Sequence, residues 1–518
     1  MSSSIQLFFD GSWITLILSS CLLLMILTFA IQRGQFIYAV RNIPQPISLP
    51  LIGNAYQLNS TLEEFFNNLV KWSQRFGDIF LVWVGIRPFI FLYKVETVQP
   101  LLSSSVHINK SFDYNYLNPW LGNGLITSNG DVWYHSRKLL TPTFHSGLLE
   151  EYFNSATNEV KIMISCLEKE IGKSFDIVPY AKRAMLDVIC DSAMGYHINA
   201  QTNVFNEYVL AVNRMSQIMQ YRFTNVWTSF NLIFRLTKLG REHDHALKVI
   251  HTFVDKVIAE RKQEWINQQN DDSNKSIKKH RALLDLLLEI SKNGTILTDT
   301  NIRDEVNTFM FAGHDTTATS ISWILYALGR RPEYQEQILD EYDEIVGDKE
   351  ITLEMLNKLN LLDACIKESW RLYPVVPLIG RQIYSPIKIL GHNIPVGSTV
   401  LINSYLLHRD VRYFPEPDVF KPERFLPSSP KLPSYTFIPF SAGSRNCIGW
   451  KFATVVVKVF TLSILKSYHI TSLITEDKLR LISELVLVNK GGIPLKITPR
   501  TNKQKEKEKI KYGEYVFL

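Results

Sequence analysis

The stretch PFSAGSRNCIGW, Pro439 to Trp450, decides the fold. It holds one cysteine, Cys447, among small residues. Phe440 opens it, Gly443 and Gly449 lie on either side of the cysteine, and Arg445 stands two places before it. A long apolar segment follows. A cysteine of this kind is either a small buried hydrophobe or a single thiolate held ready for chemistry.

The rest of the chain bounds that choice. It has 518 residues, of which 46% are hydrophobic and 20% charged, enough for a large core. The net charge of +6 is mild for this size, and no aromatic-basic motif points to nucleic acid. The cysteine count is five, an odd number, and none sits at metal-finger spacing. A disulfide framework is therefore not expected, and a reducing compartment fits best.

Trp13 to Ile31 is an uncharged apolar run, close to the ~20 residues that span a bilayer as a helix. No Lys or Arg precedes it, whereas Arg33 and Arg41 follow. That bias places the bulk of the chain on the cytoplasmic side of an uncleaved anchor. Pro44, Pro46 and Pro50 then forbid helix continuation and stiffen the connection. The chain divides into an anchor (1–33), a proline-rich hinge (34–54), one large body (55–500) and a charged tail (501–518).

The body is mainly α by pattern, with apolar residues at three- and four-residue spacing over Val209 to Met219, Ala246 to Gln263 and Ile302 to Gly329. A smaller β region falls at Ile79 to Leu92 and Ile387 to Leu401. Asn267 to Arg281 is polar and reads as a loop, and Thr501 to Lys511 as a solvated tail.

Two further constellations stand out. In the helix around EVNTFMFAGHDTT, Glu305 to Thr317, Phe309, Ala312 and Thr316 share one face. Ala312 and Gly313 leave room beside them, either for a flat group or for another helix. Asp315 and Thr316 place an acid beside an alcohol, a pair suited to proton delivery. In NLLDACIKESWRLYPVVP, Asn360 to Pro377, Glu368 and Arg371 continue the apolar stripe of a helix that Pro374 ends. A buried pair there needs more partners, and Arg424 of the PERF segment is a candidate third member.

Together these three constellations resemble the cytochrome P-450 haem-thiolate monooxygenases, and the likeness runs over nearly the whole chain. It looks closest to family four, which includes fatty-acid hydroxylases and many insect enzymes. Asn307 and Ala312 depart from that branch, which usually has Asp and Glu there. The resemblance implies a cytochrome P-450 fold, one large domain behind an anchor helix, and haem b with Cys447 as axial ligand. It implies that Phe440 shields the sulfur and that Gly443 and Gly449 let the loop pass close to the ring. Trp133, Arg137, Arg381 and Arg445 would meet the propionates.

On the other face, Ala312 and Gly313 would make room for O2, and Thr316 and Asp315 would supply protons. The Glu368-Arg371-Arg424 set would be structural. Without the Glu at 312 the haem is expected to stay non-covalent. Electrons would come from NADPH through a separate cytochrome P-450 reductase, with cytochrome b5 as a second donor, on the cytosolic face of the endoplasmic reticulum. Lys138, Lys451 and Lys458 are the expected docking lysines. The substrate would be an apolar small molecule: a fatty acid or similar lipid, a hormone or a xenobiotic. A haem-thiolate binding or sensing protein without turnover is the alternative.

Overall fold

The computed structural model describes residues 2–58, 61–144, 148–203, 207–225, 227–270, 282–291 and 297–500. The tail 501–518 and most of the polar stretch Asn267 to Arg281 lie outside them.

The apolar N-terminal run forms helix α1, Ser2–Val40. Its segment Trp13–Val40 contains an 18-residue window of mean hydropathy 2.6 of which none is buried in the protein, and only the C-terminal end, at Val40, enters the core. With no core to cover it, this surface has the length and composition of a membrane anchor. The helix outlasts the apolar run, passing Arg33 and ending only before Pro44. Beyond it the proline segment is pinned to the body rather than free. Leu81 N donates to Pro44 O at 2.9 Å and Trp83 Nε1 to Gln45 Oε1 at 2.8 Å.

The helices that build the site are α2 (Gly130–Leu140), α3 (Leu149–Leu167), α4 (Val178–Ile189), α5 (Glu207–Thr224), α6 (Lys238–Asn270), α7 (Asp299–Gly329), α8 (Asn360–Leu372) and α9 (Trp450–Ser467). All three helical segments read from apolar spacing lie inside α5, α6 and α7. Helix α7 crosses the centre of the molecule. Thr298 starts it with a capping box closed by Asn301, and from Val306 to Phe311 every residue is buried. It packs chiefly on α4, and α3 packs on α9.

The β region is a small sheet at one side. Strands β1 (Ile79–Val84), β2 (Arg87–Leu92), β3 (Leu378–Gln382) and β4 (Thr399–Asn403) lie in the order β1-β2-β4-β3. Only the β2–β4 pair is parallel. A hairpin of β5 (Leu481–Ser483) and β6 (Leu487–Asn489) points its turn toward the central helix.

Candidate active site

Helix α7, the loop before α9, helix α2 and the β5–β6 turn enclose a cavity of about 430 Å³. Its walls are largely apolar. Cys447 lines it from one side, and Ala312, Gly313 and Thr316 of α7 also line it.

The cysteine loop is held by its own backbone. Cys447 N donates to Phe440 O at 2.9 Å, and Asn446 N to Gly443 O at 3.1 Å. Gly443 has φ +72, and a Cβ there would fall 1.8 Å from Leu102 O, so only glycine fits. Gly449 caps α9, and a Cβ there would meet only Phe144, at 4.0 Å. Phe440 lines the cavity and packs edge-on against Trp370. The Cys447 side chain is exposed, but to the cavity rather than to bulk water. Burial pushes its thiol up, opposed by the Gly449 N–H and the Arg137 guanidinium. A metal cation bound at the sulfur would reverse that balance, since coordination deprotonates a thiol.

Three cations line the same cavity, Lys110, Arg137 and Arg445, with Arg381 beside them but not in the lining. Arg137 donates to Asn446 O and Oδ1, both at 2.7 Å. Arg445 donates to Ile108 O at 3.0 Å and lies 4.2 Å over the Trp133 ring. Arg381 on β3 is buried and donates to Gly380 O at 3.0 Å. Lys110 lines the cavity beside them, its pKa pushed well down by burial, Arg381 and Arg445. Arg445 is pushed down to about 9, by burial first and then by Arg381 and Arg137. None of these four cations forms an ion pair with a carboxylate among the described residues. Positive charge crowded here, with Arg381 buried and the other three partly so, is costly without a counter-charge and suits a dianionic partner. The two propionates of haem b, with a thiolate donor across the cavity, fit this donor set.

Lys110 and Tyr114, whose phenol feels both Arg381 and Arg445, were missed in the sequence. They carry no motif.

The α7 wall divides the residues read from it. Thr316 faces the cavity and its hydroxyl donates to Ala312 O at 2.6 Å. Asp315 does not line the cavity. It is buried, with Oδ1 2.6 Å from Lys182 Nζ of α4. Burial alone would raise its pKa, but Lys182 and His314 more than offset that and hold the carboxyl below the usual range. Gly313 lines the cavity, yet a Cβ on it would meet Ile189 of α4 at 2.6 Å. Both readings of the small residues therefore apply, since the glycine also lets two helices cross. Asn307 is buried and its Nδ2 donates to Arg303 O at 3.0 Å. Glu305 accepts from Leu125 N at 3.0 Å and Asp304 from Asn123 N at 2.8 Å. These two carboxylates, also missed, fasten the loop 122–125 onto α7.

Glu368 and Arg371 are fully buried and pair at 2.7 Å. Arg371 also donates to the carbonyls of His408, Pro417 and Val419. Glu368 accepts from Lys421 N at 2.7 Å and faces Arg424 Nε at 3.5 Å. These contacts supply the partners that a buried pair requires, and neither Glu368 nor Arg371 is among the residues lining the cavity.

One docking lysine is corrected. Lys138 is exposed and Lys451 partly so, but Lys458 is buried in α9 and its Nζ pairs with Asp363 at 2.8 Å. It faces the core because α9 packs against its neighbours on several sides.

Residues 43–497 match the family description "Cytochrome P450". Cytochrome P450 4c3 of Drosophila melanogaster is 40% identical over 509 residues, covering 94% of this chain and 95% of that protein. Cytochrome P450 4V2 of Mus musculus is 40% identical over 475 residues, covering 89% and 90%. Cytochrome P450 4d2 of Drosophila melanogaster is 37% identical over 472 residues, covering 88% and 94%. The chain therefore belongs to the cytochrome P450 family, as a monooxygenase similar to the family-four enzymes.

Proposed function

We propose that the protein inserts one oxygen atom of O2 into an apolar substrate, a fatty acid or similar lipid, a hormone or a xenobiotic. Electrons would come from NADPH through a separate cytochrome P-450 reductase, with cytochrome b5 as a second donor. The observation that carries this reading is that Cys447 and Thr316 line one largely apolar cavity bordered by unpaired cations.

Haem b would be held by Cys447 through the iron, and by Arg137, Arg381, Arg445, Lys110 and Trp133 at the propionates. Bound there, it supplies O2 activation, with the thiolate favouring O–O cleavage. The chain's own part is positional. The apolar wall excludes water and holds substrate. Thr316 offers a hydroxyl whose proton now rests on Ala312 O. Asp315 and Lys182 form a buried charge pair one residue from it. Ala312 has no carboxylate, so no side chain at this position ties the haem covalently. Helix α1 would anchor the protein in the endoplasmic reticulum membrane with the body in the cytosol, and Lys138 and Lys451 remain to meet an acidic donor.

The alternative, a haem-thiolate binding or sensing protein, has no need of a hydroxyl such as Thr316 in the cavity. Reconstitution with reductase, NADPH and ¹⁸O₂ separates the two. Product carrying one labelled oxygen supports the monooxygenase. Haem reduction with no product from lipid, terpenoid and xenobiotic panels would favour the alternative.

A further inference from the structure

The charges around the cavity fall into two sets. Among the described lining residues, the cations Lys110, Arg137 and Arg445 all belong to the cluster assigned to the propionates. The lining carboxyls that remain are Asp113 and Glu484. Asp113 has an outside partner, Arg87, at 3.8 Å. Glu484 sits in the turn between β5 and β6, where its backbone N–H donates to Val486 O at 3.0 Å. Its side chain makes no hydrogen bond or ion pair among the described residues. The apolar side chains Leu485 and Val486 of the same turn line the cavity with it.

We propose that the substrate compartment takes an uncharged lipid bearing an O–H or N–H donor, an alcohol or an amide, in preference to a fatty-acid anion, and that Glu484 accepts that donor. The proposal rests on the reading of the cavity as a haem and substrate compartment. A carboxylate in a largely apolar pocket needs a donor to satisfy it. A fatty-acid anion placed there would meet a like charge and find no free cation. Specificity of this kind works by rejection as much as by attraction.

The charged groups facing Glu484 are Lys182 from α4 and Asp315 from α7. Burial, with Asp315 adding and Lys182 opposing, raises its carboxyl to about 7. The sign follows. Above that pH the group is ionised and repels an anion. Below it the group is neutral and the repulsion disappears.

The test is equilibrium dialysis of the purified holoenzyme against 1-dodecanol and laurate at pH 6 and pH 8. At pH 8 the alcohol should bind on the order of tenfold tighter than the acid. The ratio should fall toward one at pH 6. Glu484→Gln, which keeps size and polarity, should shrink the ratio at pH 8 by a similar factor, chiefly by tightening laurate. Laurate binding as tightly as dodecanol to the wild type at pH 8 would overturn the proposal. So would a ratio unmoved by both pH and Glu484→Gln. Dialysis reads the ratio whatever the haem does, so a failed thiolate assignment would show separately, in the spectrum of the reduced CO complex.

Discussion

Lys182 Nζ lies 2.6 Å from Asp315 Oδ1, and the acid so held is not among the residues lining the cavity that Thr316 lines. The acid–alcohol pair adjacent in sequence is thus divided in space. Thr316 opens onto the cavity, whereas Asp315 is committed to Lys182.

Removal of the lysine exposes what the contact does. Lys182→Met leaves a buried carboxylate uncompensated and should cost about 3–5 kcal/mol of folding stability at pH 7.5. Asp315 is held below the usual carboxylate range. The stability it contributes is therefore fully present above ~3.9, the unfolded value, and is lost as pH falls through the lower folded value. Without Lys182, burial raises the Asp315 carboxyl, so denaturant unfolding of the two proteins should show a gap that is widest at pH 8 and narrows on acidification as protonation relieves the buried charge. A gap that widened on acidification would refute the assignment.

Thr316→Ala tests the cavity side of the same helix. It removes the Thr316 hydroxyl, leaving Thr308, Thr317 and Ser320 of the same wall and the Lys182–Asp315 pair in place. Product formed per NADPH consumed should fall by about tenfold or more, with hydrogen peroxide making up the difference. Substrate affinity should hardly change. An unchanged ratio of product to NADPH would remove Thr316 from proton delivery.

Ala312 predicts how the cofactor is retained. After turnover, acid denaturation and reversed-phase chromatography should release all the haem free of polypeptide. Ala312→Glu places a carboxylate on the cavity wall and should yield some haem that travels with the chain. Covalent haem in the wild type would contradict the reading of this position.

Much of the site was legible because its signals are local. The Cys447 loop needs glycine where a Cβ would strike Leu102 O, and that demand is written into a short stretch. Glu368 and Arg371 lie on an apolar stripe, which announces burial before any partner is known. The orientation of Asp315 was not legible, because Thr317, equally adjacent to Thr316, does line the cavity, and helical spacing alone does not separate the two. Lys110 and Glu484 were not legible. Each gains its meaning from groups far away in sequence, Arg381 and Arg445 for the first, Lys182 and Asp315 for the second. Lys458 misled because α9 buries more than one face, so periodicity could not say which lysine reaches solvent.

The central claim is that Cys447 supplies the thiolate to haem iron in this cavity, and the absorption spectrum of the reduced protein under CO tests it most directly. The wild type should give the strongly red-shifted Soret band of thiolate ligation, and Cys447→Ser should lose that band. A Cys447→Ser protein that kept both its haem and the shifted band would contradict the account.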